Sequence, residues 1–183
     1  MRLARRLGAV SLLLAGLLEA GTSVAAVVDS TSAGFLVRSE AVVKATPDSV
    51  YRALTARVAS WWDPEHTWSG DVRNLSLDAT PGGCFCERLP GGGVHHLTVV
   101  YAAPGKLLRL IGGLGPLQGA GVAGSLTFAL FAVTEGTKVQ MSYSVGGYFP
   151  GGLASLAPVV DAVLGGQLAR LERFVETGRP AAE

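Results

Sequence analysis

The longest hydrophobic periodicity lies near the C-terminal end of the chain. Leu153, Leu156, Val160, Val163, Leu164, Leu168, Leu171 and Val175 recur at steps of three and four, with Asp161, Arg170, Glu172 and Arg173 opposite them. This spacing predicts a long amphipathic helix. Gly178 and Pro180 end it, one tolerating a left-handed stop and the other unable to continue a helix. Gly165-Gly166 falls inside the stripe, where each glycine costs about 1 kcal/mol relative to alanine. The pair predicts a bend, or a close approach to a sheet or a ligand. A shorter stripe of Val50, Tyr51, Leu54 and Val58 follows Thr46-Pro47-Asp48, a cap, a first-turn proline and an acid at the positive helix end. Trp61-Trp62 extends that apolar surface until Asp63-Pro64 breaks it.

Elsewhere the pattern changes to strands punctuated by turns. Residues 35–45 read as a first strand. Six more follow at 75–79, 84–89, 94–102, 107–111, 125–133 and 138–145, separated by Pro81-Gly82-Gly83, Pro90 to Gly93, Pro104-Gly105, a glycine-rich stretch and Glu135-Gly136. Within the last, Val139, Met141, Tyr143 and Val145 face one way. Consecutive strands on short turns make an antiparallel meander. Only the final helix is long enough to cover it. The prediction is an α+β domain: a curved antiparallel sheet of about seven strands wrapped around a long C-terminal helix, with one or two short helices after the first strand. Such a sheet closes imperfectly on a single helix, and the gap is a natural ligand pocket. Its expected lining is Leu156, Val160, Leu164 and Leu168 from the helix, Phe128, Leu130, Met141 and Tyr143 from the sheet, and the aromatics Trp61, Trp62, Trp68 and Tyr148. The tryptophans could instead be ordinary core.

The N-terminal end is different in kind. Arg2, Arg5 and Arg6 precede an apolar run at 7–18, stopped by Glu19 and followed by small residues at 21–26. The run is shorter than the ~20 residues of a membrane span, and the order is that of a secretory signal peptide. Cleavage is expected after Ala25 or Ala26. That divides the chain into a leader at 1–25, a short mature segment at 26–34, a domain at 35–178 and a tail at 179–183. The expectation is a periplasmic or secreted protein with no stable membrane span after cleavage. The 15 basic and 14 acidic residues become 12 and 13 once Arg2, Arg5, Arg6 and Glu19 are gone. So even a balance makes nucleic acid a poor partner.

Chemistry-bearing residues cluster in one hairpin. Pairing the strands symmetrically about Pro90 to Gly93 puts Arg88 opposite His95, Glu87 opposite His96 and Cys86 opposite Leu97. Phe85, Glu87 and His96 then share one face, and Cys84, Cys86, Arg88 and His95 the other. Glu87 with His96 reads as an acid–base couple or as a cross-strand charged pair. Cys84, Cys86 and His95 are soft ligand types on adjacent strands, with His66 a distant fourth, too few to assign a metal. Cys84 and Cys86, ~6.5 Å apart along an extended strand, are expected to remain free thiols. The Gly112 to Gly124 stretch has no Lys-Ser/Thr ending and feeds no helix, so it is a rim loop or a wide turn and not a phosphate cradle. Gly146 to Gly152 reads as a hinge. No motif calls for a cofactor.

Several strings carry a resemblance: ATPDSVYRALT at 45–55, Trp61-Trp62, TPGGCFCE at 80–87 and VVYAAPGKLLRLIG at 99–112. With the element order, they resemble the START-like superfamily, the SRPBCC or helix-grip fold. Within it the chain is most similar to the polyketide cyclase/dehydrase and heat-shock ATPase-activator-like branch. The resemblance implies the fold and its cavity. It implies no single activity, because the group spans lipid carriers, cyclases, receptors and co-chaperones. The expected function is an exported binding protein for an apolar small molecule or lipid. The alternatives are a cavity enzyme of the cyclase or hydrolase kind using Glu87 and His96, and an envelope interaction module.

Overall fold

Why the helices form where they do is visible in their ends. In the computed structural model, which describes residues 24–181, Thr46 caps α1 (Pro47–Ala56), its side chain accepting from Ser49 N–H at 3.3 Å. α2 (Val58–Trp61) follows at once, and Trp61 Nε1 donates to the Ala53 carbonyl at 3.0 Å, locking the two helices together. α3 (Ala157–Thr177) stops at Gly178, whose φ of 77° lets its N–H reach the Phe174 carbonyl. α3 runs unbroken through Gly165-Gly166, and Gly166 faces open space. The close approach expected of these glycines is therefore not made at Gly166.

The strands are β1 (Val24–Thr31), β2 (Gly34–Val43), β3 (Leu75–Leu77), β4 (Cys84–Leu89), β5 (Gly92–Ala103), β6 (Leu107–Gly112), β7 (Gly121–Val133) and β8 (Gly136–Tyr148). They form one antiparallel sheet in the order β1-β2-β8-β7-β6-β5-β4-β3. α3 lies across its concave face, making the expected α+β architecture, with eight strands in place of about seven. The eighth is β1, which pairs with β2 from Val24↔Glu40 to Thr31↔Gly34. The segment 26–34, taken from sequence as a short lead-in, is thus mostly sheet edge. Nearly all of the expected leader lies outside the described residues. No helix among the described residues is long and apolar enough to cross a membrane.

The core sits between the concave face and the helices. Val139, Met141, Tyr143 and Val145 of β8 are all buried, as are Leu126, Phe128 and Leu130 of β7. They meet Leu54, Val58 and Trp61 from α1 and α2, and Leu168 and Leu171 from α3, in one apolar cluster.

Candidate ligand-binding site

α1 and α2 cover only part of the concave face. Where they end, a cavity of about 370 Å³ opens between sheet and helix. Its floor is the first two turns of α3 and the residue before them, lined by Leu156, Val160, Val163 and Leu164 with the largely exposed Val159 beside them. Its wall on the sheet side is an aromatic row: Trp62 and Phe85 with ring centroids 5.2 Å apart, then Phe85 and His96 at 5.0 Å. Two loops complete it, one through Glu65, His66, Thr67 and Trp68 and one through Leu114 to Leu117.

Each loop is held by a buried polar side chain. Residues 61–63 are stapled to α3, where Gln167 accepts from Asp63 N–H at 3.0 Å and Arg170 donates to the Trp61 carbonyl at 2.9 Å. Further along, the backbone N–H groups of Trp68 and Ser69 donate to the Glu87 carboxylate at 3.1 and 2.5 Å. The glycine-rich loop is pinned by Tyr143, whose hydroxyl donates to the Gly112 carbonyl at 2.9 Å and accepts from Leu114 N–H at 3.2 Å. A Cβ at Gly124 would strike the Tyr143 ring, so glycine there is what lets the ring reach the loop. Burial pushes the Tyr143 hydroxyl up to about 12.

The hairpin differs from symmetric pairing in a way that preserves its chemistry. Its turn is tight, Pro90-Gly91, with φ of 75° at Gly91, so Leu89 pairs with Gly92 and Glu87 with Val94. The register is two residues from the one expected about Pro90 to Gly93. A shift of two leaves every side chain on its face. Phe85, Glu87 and His96 do share the concave face. Between Leu97↔Phe85 and His95↔Cys86 the ladder skips His96, a β-bulge. His96 and Leu97 are consequently both buried.

Glu87 and His96 are 2% and 6% exposed, and Glu87 Oε2 lies 3.0 Å from His96 Nε2. Burial alone would raise the Glu87 carboxyl, but hydrogen bonds from Ser69, Trp68 and His96 outweigh it and leave the group below its ordinary range. Burial lowers the His96 imidazole, which the Glu87 carboxylate only partly offsets. Near neutral pH the pair is carboxylate and neutral imidazole. With Nε2 donating to Glu87, His96 Nδ1 keeps its lone pair. His96 lines the cavity. A largely apolar space with a fixed imidazole in its wall can hold an apolar molecule by one end, or take a proton from it.

Of the residues expected at the pocket, the structure brings together Trp62, Trp68, Leu156, Val160 and Leu164. Trp61, Leu130, Met141 and Leu168 are packed in the core, and Phe128 borders only a void of about 20 Å³. Tyr143 acts behind the wall, and Tyr148 is 75% exposed. Phe85, Val159 and Val163 were not anticipated, and Leu114 to Leu117 take the rim-loop alternative of the two left open for the Gly112 to Gly124 stretch. Phe85 and Val163 had a signal, alternation with Glu87 and membership of the helix stripe. Composition alone could not decide between rim loop and wide turn, because the loop's place is set by Tyr143 from 29 residues away.

On the opposite face, Cys84 and Cys86 form a disulfide, against the expectation of free thiols. Their Cα atoms lie 5.3 Å apart, drawn in from extended spacing and within the usual bridging range. The pairing with β5 shifts register between Phe85 and Cys86, inside the span of the bridge.

No protein-family model matches the chain, and no curated protein is similar to it in sequence. Among solved structures, it is similar to a conserved protein of unknown function, EF2215 from Enterococcus faecalis (TM-score 0.60, 19% identity, covering 88% of this chain and 80% of that one). It is also similar to the Aha1 dimer from Colwellia psychrerythraea (TM-score 0.57, 19% identity, 78% and 97% covered). DynU16, a protein of the dynemicin biosynthetic locus, matches at TM-score 0.57 and 25% identity over 79% of this chain and 48% of its own.

Proposed function

We propose, for a chain that has the helix-grip fold of the START-like (SRPBCC) superfamily, that it is an exported binding protein for an apolar small molecule or lipid. The observation that carries this reading is the cavity of about 370 Å³, walled mostly by aliphatic and aromatic side chains, with the buried His96 imidazole in its wall and Glu65, His66 and Thr67 on one of its loops. The size suits a small hydrophobic ligand. Export rests on the N-terminal pattern alone. Cleavage after Ala25 or Ala26 would leave most of β1 in place along β2. N-terminal sequencing of the mature protein should begin at Ala26 or Val27, and a start at Met1 in an envelope fraction would sink the export reading.

A second reading, a cavity enzyme of the cyclase kind, is favoured by the Glu87–His96 bond. There His96 Nδ1 would accept a proton from a bound polyketide-like molecule while Glu87 holds the ring and stabilises the imidazolium. Similarity to DynU16 is in keeping with this and does not select it over binding. Glu87 already accepts from two loop N–H groups, so its own role is to position His96 and the loop.

Native mass spectrometry of protein purified from its own envelope tests the binding reading. A co-purified apolar molecule at one per chain is expected. Ligand-free protein that also fails to take up the neutral fluorophore N-phenyl-1-naphthylamine would overturn it.

A further inference from the structure

On the face of β4 and β5 turned away from the cavity, one sulfur each from Cys84 and Cys86 and a ring nitrogen of His95 all lie within 4.8 Å of one another. The sequence builds this cluster in two steps. Alternation puts both cysteines on the outer face of β4. The bulge at His96 then turns that residue inward while leaving His95 directly paired with Cys86.

The disulfide within this cluster does little to hold the fold. It closes a loop containing only Phe85, inside a strand already paired on both sides with β3 and β5. The entropy a crosslink removes from the unfolded chain falls with loop length, and this loop is very short. Both cysteines are half-buried and His95 is exposed, so a thiol reagent can reach the bond.

We propose that the reduced Cys84–Cys86 pair, together with His95, binds one soft, thiophilic metal cation, and that the disulfide is the form of the site closed to metal. Two thiolates and an imidazole are the donors that Cu(I) and comparable soft ions select over hard ones. The third donor is held as metal-binding imidazoles usually are, through a partner on its other side. His95 Nε2 lies 2.8 Å from Thr98 Oγ1, and the Gln118 side chain donates to the His95 carbonyl at 2.6 Å. With Nε2 as donor, Nδ1 carries the free lone pair. The site is open to solvent on one side, which suits a metal that is exchanged and not one that is structural.

The chemistry of opening balances with a dithiol as co-reactant. The dithiol gives two electrons and two protons to the S–S bond and leaves as its own disulfide. The metal then displaces the two thiol protons. Oxidation of the thiols by a disulfide acceptor closes the site again.

The test compares oxidised and reduced wild-type protein, so it does not depend on any variant folding. Protein reduced with dithiothreitol and freed of it anaerobically is titrated with Cu(I) against the competing chelator bicinchoninate. One Cu(I) per chain is expected for the reduced protein and none for the oxidised. Cys84→Ser and Cys86→Ser should each weaken binding by about 100-fold or more, and His95→Gln by about tenfold, with circular dichroism and N-phenyl-1-naphthylamine uptake unchanged. Failure of the reduced protein to compete for Cu(I), equal binding by the oxidised protein, or wild-type affinity in His95→Gln would each overturn the proposal.

Discussion

The two halves of α3 carry the same stripe and meet different surroundings. Leu168 and Leu171 are 1% and 0% exposed, packed with α1, α2 and the sheet. About two to four turns earlier, Leu156 and Val160 are only half-buried, Val159 is 61% exposed, and the stripe borders the cavity. The difference is made by what covers the concave face. α1 and α2 fill one end with Leu54, Val58 and Trp61, while the other end is closed by two loops hung from Glu87 and Tyr143. Periodicity therefore says that a face is turned inward. It does not say whether anything is there to meet it.

The sharpest way to break this comparison is to truncate each half. Leu171→Ala should cost about 2–5 kcal/mol of unfolding free energy, because the packed surroundings cannot collapse fully into the space. Val160→Ala should cost about 1 kcal/mol or less, since part of the side chain already borders a void. Urea denaturation reads both, and equal losses would mean that the cavity end is as dry as the other.

Next in size is the carboxylate that suspends the first loop. Glu87→Ala strands the Trp68 and Ser69 N–H groups and the His96 Nε2–H, and should cost about 1–3 kcal/mol. It should also weaken uptake of N-phenyl-1-naphthylamine, whereas Leu171→Ala should not in whatever fraction remains folded. Unchanged probe affinity in Glu87→Ala would show that the loop is not part of the site.

The same pair sets the response to acid. His96 and Glu87 both titrate below their ordinary ranges in the folded protein. Each therefore contributes stability that is present above its unfolded value and is lost as pH falls through the folded one. Melting temperature should drop first as pH falls below about 6.5, the ordinary histidine value, and again below about 4.3, the ordinary glutamate value. His96→Asn should remove the first of these steps and leave the second.

The smallest expected effect lies at the outer side of the cavity half. Asp161 is raised by burial, which the N–H of Ala26 only partly offsets, and its Oδ1 has no partner. A raised carboxyl contributes stability below its unfolded value that is lost as pH rises. Asp161→Asn should raise the melting temperature slightly at pH 7 and leave it unchanged near pH 3. A fall at pH 7 would show that the charge is used.

What was legible in the sequence was local. The Thr46 cap, the Gly178 stop and the alternation of Val139 to Val145 are each decided by neighbours in the chain, and the helix-grip order followed from them. The shared face of Glu87 and His96 survived a register error because the error was an even number of residues. β1 was hidden because VAAVVDST has little polar alternation and abuts the leader-like run. The disulfide was hidden because regular strand spacing disfavours it, whereas the two Cα atoms lie only 5.3 Å apart. At the site, Leu156, Val160 and Leu164 came from the stripe, but the loop of Leu114 to Leu117 depends on a tyrosine hydroxyl two strands away.

The central claim is an open, apolar cavity under the N-terminal half of α3, and Val160→Trp tests it most directly. The variant should melt close to wild type, because the indole enters existing space. It should also lose the saturable uptake of one N-phenyl-1-naphthylamine per chain that wild type is expected to show. A Val160→Trp protein that folds and still takes up the probe as wild type does, or one that unfolds from overpacking, would contradict the account.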